Sequence, residues 1–131
     1  MHDSRVPDRA AWQHAIEQAG FPTVLDPALN VREDTGFSPA TYGGESTGFE
    51  FYMESATDVL DAYPHIAERI GAREMAASFR WGGDLNEMAA ALSAAAALAN
   101  LTDGIYFDPQ DDVLYSAAEA LVATRRELSS L

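Results

Sequence analysis

The chain contains no cysteine and no lysine. Without cysteine there is no disulfide, no thiolate nucleophile and no thiolate-held zinc. Without lysine there is no Schiff-base amine and no phosphate-loop lysine. Histidine is scarce: His2, His14 and His65 are the full set. Neither His14 nor His65 has a second histidine three or four residues further on, so a histidine-based metal site or catalytic triad has little support. His2 is expected in a frayed terminus. Long apolar runs are also missing. The longest, Ala89 to Ala99 interrupted by Ser93, is too short and too alanine-rich to cross a bilayer. The opening Met1-His2-Asp3-Ser4-Arg5 lacks the charged-then-apolar layout of a signal peptide, and a cytoplasmic location is the resulting expectation.

Positive charge is the other scarcity. Eight arginines oppose 21 acidic residues, for a net charge of −13. A field of this sign repels nucleic acid and anionic membrane and attracts basic partners; it also keeps a protein soluble. The aromatic residues, 10% of the chain, have no basic groove beside them, so Phe49, Phe51, Phe79 and Trp81 read as core rather than as base-stacking platforms.

What is present suits one domain. With 131 residues, 47% of them hydrophobic, the chain can fill a single core and leave about 6,700 Å² exposed. Helical spacing of Ala11, Ala15 and Ala19 beside Trp12 and Ile16 predicts a helix over 8–19, closed by Gly20. Residues 21–26 form a short strand. Residues 28–47 show no sustained period; an arm over 39–42 turning at Gly43-Gly44 would shorten that connection. Strict alternation marks a strand over 48–54, with Phe49, Phe51 and Met53 on one face and Glu50, Tyr52 and Glu54 on the other. Ser55 caps the next helix, which Pro64 kinks or breaks before Gly71 ends it. Residues 74–81 alternate again, placing Met75, Ala77, Phe79 and Trp81 together.

Asp84 then caps an alanine-rich helix reaching about Leu101. Its stripe of Leu85, Met88, Leu92, Ala95, Ala96 and Ala99 marks it as the most buried helix. A short strand over 105–107, the turn 108–112, a brief strand over 113–115 and a last helix capped by Ser116 and Glu119 complete the order. No repeat or linker interrupts it. Strands with one apolar and one polar face imply a single-domain α+β sandwich of about four strands, covered by helices mainly on one face.

Chemistry is sparse in this pattern. Asp108, Asp111 and Asp112 share a turn that could hold a divalent cation, but the calcium-loop spacing is absent, and aspartates capping the backbone of a Pro-containing turn explain them. A small carboxylate- or metal-dependent enzyme therefore stays an alternative, as does an adaptor subunit. Gly43-Gly44 and Gly82-Gly83 are too short for phosphate loops, and Asp84 at the helix N-cap repels anions. No catalytic residue, cofactor or metal ligand is assigned. The polar strand face is more informative: Glu50, Tyr52 and Glu54 stand in a row beside Arg80 on a neighbouring strand, flanked by the 30–47 segment with Tyr42 and Glu45. Tyrosine suits interfaces and carboxylates offer sites for a partner's basic side chains. These six residues form the candidate partner-binding set.

The stretch Arg80-Trp81-Gly82-Gly83-Asp84, the alanine-rich helix and Leu101-Thr102-Asp103-Gly104-Ile105-Tyr106-Phe107-Asp108-Pro109-Gln110 together resemble bacterial immunity proteins of type VI and polymorphic-toxin systems. The likeness covers roughly residues 47–120 and rests on structural turns. It implies a cytoplasmic protein that binds and blocks a cognate effector toxin, and it carries over no catalytic residues. An acidic inhibitor fits a toxin with a basic, nucleotide- or nucleic-acid-related cleft.

Overall fold

A computed structural model describes residues 1–131. Helix α1 (Arg9–Gln18) starts where the Asp8 side chain accepts the Ala11 N–H. It leads into strands β1 (Thr23–Leu25), β2 (Gly36–Tyr42) and β3 (Glu45–Ser55). Gly43 and Gly44, with φ of 59° and 83°, make the two-residue hairpin turn between β2 and β3 that requires positive φ at both positions. Helix α2 (Ala56–Ala62) is capped by Ser55. Pro64 breaks it into a 3-10 turn and the single-turn α3 (Ala67–Ile70), because proline lacks the amide the helix needs. Strand β4 (Met75–Arg80), the long α4 (Leu85–Thr102), β5 (Tyr106–Asp108), β6 (Val113–Tyr115) and α5 (Ala117–Ser129) follow.

The fold is α+β. Strands β1 to β4 form one antiparallel sheet in sequential order, and β5 with β6 form a separate two-stranded ribbon. Three differences from the sequence reading stand out. The 28–47 segment supplies a full seven-residue strand rather than only an arm. The strand at 106–108 pairs with 113–115 and leaves the main sheet. The N-terminus is not frayed: Met1 exchanges both backbone hydrogen bonds with Met75, at 2.8 and 2.9 Å. The Glu74 carboxylate receives the Asp3 amide and faces His2 Nδ1 at 3.1 Å; these bonds, the His2 contact first, hold its pKa below the usual glutamate value.

The core lies between the sheet and α4. Trp12, Ile16, Leu25, Phe49 and Phe51 are buried against Ala90, Ala91, Ala94, Ala97 and Leu98. Trp12 meets Phe51 at 5.3 Å and donates its indole N–H to the Ala94 carbonyl at 2.9 Å. A carbonyl inside a helix reaches such a donor only because alanine leaves the helix surface low. On its other side α4 packs against α5 through Ala96, Ala99 and Ala120. Helix α4 is thus enclosed between the sheet and α5, and burial runs round its circumference through Ala89 to Ala94 and Ala96 to Ala99. This corrects the single predicted stripe: Leu85 is 60% exposed and Ala95 is only half-buried. A helix apolar all round is a buried helix. Trp81 is also corrected. It lies one residue beyond the end of β4, before Gly82-Gly83, and is exposed; Trp12 takes the core position.

Candidate partner-binding face

The accessible surface, 7021 Å², is close to that of a compact chain of this size, and its composition is strongly acidic. Only Asp3, Glu74 and Asp112 take part in ion pairs, and two of those partners are histidines. Three of the other arginines serve the backbone instead. Arg9 donates to the Leu25 and Asp26 carbonyls, Arg73 to Ile70 and Asp103, and Arg125 to Ala19 at the end of α1. Guanidinium groups at helix C-termini satisfy carbonyls that the helix leaves open. They cancel few of the side-chain carboxylates, so the negative field is left unscreened by local pairing.

The sheet face opposite α4 carries the predicted row. Alternation along β3 buries Phe49 and Phe51 and turns Glu50, Tyr52 and Glu54 the other way. Register puts Arg80 opposite Glu50, Ser78 opposite Tyr52 and Ala76 opposite Glu54. The Tyr52 hydroxyl donates to Glu50 Oε1 at 2.7 Å, and the Ser78 hydroxyl donates to the Glu54 carboxylate. Arg80 makes no ion pair with Glu50; its guanidinium sits 5.7 Å from the centre of the Tyr52 ring. The bond to Glu50, then desolvation, then the Glu50 charge raise the Tyr52 pKa, with Arg80 opposing. The row is therefore two hydrogen-bonded pairs, Tyr52 with Glu50 and Ser78 with Glu54, with the Arg80 cation over the phenol ring.

Four of the six predicted residues meet here: Glu50, Tyr52, Glu54 and Arg80. Tyr42 and Glu45 do not join them. They face each other across the hairpin end, and Tyr42 packs against the core cluster on the helix side of the sheet.

The sequence reading missed Phe37. On β2 the alternation is inverted relative to hydrophobicity: Ser38 is buried with an unpartnered hydroxyl, while Phe37 is 66% exposed. Phe37 pairs across with Glu50, so it extends the polar row with an aromatic ring. Its ring lies over Gly48, where an added Cβ would meet Phe37 Cζ at 2.4 Å and the Ser38 carbonyl at 2.6 Å. Val24, 46% exposed, continues the apolar edge of this face on β1. The available signal was the pair Phe37-Ser38 in a segment whose neighbours Ala40 and Tyr42 fix the inward parity.

At the acidic turn, His65 Nε2 lies 2.6 Å from Asp112 Oδ1, and Asp108 accepts the Gln110 amide. No three side chains of the metal-binding types converge anywhere in the molecule. No helix is long and apolar enough to cross a membrane. Comparison with protein-family models, curated proteins and solved structures finds no match.

Proposed function

We propose that this chain is a binding protein whose open sheet face docks on a basic partner, and that the partner is a cognate effector toxin whose cleft this face occludes. The observation that carries the reading is the inverted alternation of β2. A one-residue shift would bury Phe37 and expose Ser38, yet the structure exposes the phenylalanine beside Glu50, Tyr52 and Glu54. An exposed aromatic ring rimmed by carboxylates, on a chain with net charge −13, has the anatomy of an anchor that a basic surface can cover. The resemblance to immunity proteins over roughly 47–120 supports the toxin assignment and a cytoplasmic site of action. Binding, not catalysis, is the activity in this reading.

The test is association with the product of the neighbouring gene, by co-purification and by relief of its toxicity on co-expression. Phe37→Ala should raise the dissociation rate, at a cost of about 2 kcal/mol if the ring is a hot spot. Joint reversal of Glu50 and Glu54 to arginine should slow association and flatten its salt dependence. Wild-type kinetics in the combined, normally folded variant would remove this face from the interface.

A further inference from the structure

The two edges of the sheet are finished differently. At β1 the edge is closed: the Gln13 side chain accepts the Leu25 N–H at 2.8 Å and donates to the Thr23 carbonyl at 3.0 Å, both in buried positions. At β4 only Met75 is occupied, by Met1. Because Met75 turns both its backbone groups away from β3, the alternation of an antiparallel ladder turns those of Ala77 and Phe79 the same way. No element pairs with them. The edge also lacks the usual protection. The strand has no proline, and its one charge, Arg80, stands at its end, so the free groups of Ala77 and Phe79 have no charged side chain of their own beside them; open edges of this kind invite pairing with another strand.

We propose that β4 pairs antiparallel with β4 of a second copy, with Ser78 on the two-fold axis. This register matches Ala77 with Phe79 of the second copy and Phe79 with Ala77, so each residue exchanges both backbone bonds. Pairing stops where Met1 already occupies Met75, which is where the opposing β4 ends at Arg80. On the core side, the half-buried Phe79 of each copy gains the neighbouring Ala77. On the open face the charges are complementary. Arg80, without an ion pair inside its own chain, lies opposite the small Ala76 of the second copy, beyond which stands that copy's Glu54. Two strand spacings, about 10 Å, are within the combined reach of an arginine and a glutamate. The net charge of −13 opposes self-association, so the dimer is a weak one that tightens as salt screens the long-range repulsion.

The absence of cysteine gives a direct test. In this register the Ser78 residues form a non-hydrogen-bonded pair about 4.5 Å apart at Cα, within disulfide range. Under mild oxidation Ser78→Cys should crosslink at least ~10-fold faster than Thr41→Cys, placed on the same face near the other edge. Sedimentation equilibrium of the unmodified chain, up to about 1 mM in ~0.5 M salt, should show a reversible dimer that Ala77→Pro abolishes, since proline removes one edge N–H. Crosslinking no faster than in Thr41→Cys overturns the proposal whether or not the proline variant folds. A monomer at every concentration, or a dimer indifferent to Ala77→Pro, overturns it as well.

Discussion

The two faces of the sheet are made from the same strands by the same alternation, and they answer to different constraints. On the α4 side, Phe51 is 1% exposed and touches Trp12 at 5.3 Å and Phe79 at 5.4 Å. On the open side, Phe37 sits on the adjacent strand with two-thirds of its surface in water. One phenylalanine is held by packing from several directions, while the other rests on a glycine. The contrast separates residues that hold the fold from residues that the fold only presents.

The largest effect should come from breaking the inner face. Phe51→Ala should lower unfolding free energy by about 3–5 kcal/mol through lost burial and a residual cavity, measured by urea denaturation. Phe37→Ala should change the same quantity by less than about 1 kcal/mol. Equal losses for the two variants would mean that the faces are not distinct.

Gly48→Ala probes the open face beneath the Phe37 ring. The new Cβ would crowd the Phe37 ring and, at 2.6 Å, the Ser38 carbonyl. It should cost about 1–3 kcal/mol, and adding Phe37→Ala should restore only part of this, because the backbone contact persists. Full rescue by Phe37→Ala would show that the ring alone imposes the glycine.

At the periphery, Ser116→Ala removes the hydroxyl half of the reciprocal cap of α5, in which Ser116 and Glu119 satisfy each other's backbone amides. A loss of about 1 kcal/mol is expected. The bond from the Ser116 amide, first among its causes, holds the Glu119 pKa below its usual value. A depressed carboxylate contributes stability that is present above the unfolded pKa and lost as pH falls through the folded one. The wild type should therefore lose more stability than Glu119→Gln, which cannot titrate, on acidification below about pH 4.3, read as the difference between their melting temperatures against pH.

The smallest effect concerns the alkaline side. Burial, then the charges of Glu127 and Asp108, push the Tyr106 pKa up. A raised folded pKa gives stability that is complete below the unfolded value of about 10 and is lost as pH rises beyond it. Tyr106→Phe should reduce the loss of stability above pH ~10, measured by alkaline denaturation.

Much of this molecule is legible in its sequence because it is local. Asp8, Ser55, Asp84 and Ser116 mark helix starts, since each side chain bonds amides two or three residues away. Gly43-Gly44 marks the hairpin through its backbone freedom, Pro64 marks the helix break, and the alternation around Phe49 to Glu54 places three of the six proposed interface residues, Glu50, Tyr52 and Glu54, on one face. The rest depends on what lies across the fold. Helix α4 is buried on nearly all sides because α5 returns to cover what the sheet does not. Trp81 is exposed because the sheet ends one residue before it. Tyr42 turns to the core and Phe37 to solvent because the β2–β3 register fixes the parity of both, and Arg80 lies over Tyr52 rather than against Glu50. Caps and turns act within a few residues, so the sequence alone specifies them; burial and facing depend on partners far along the chain, and only the tertiary structure brings those partners together.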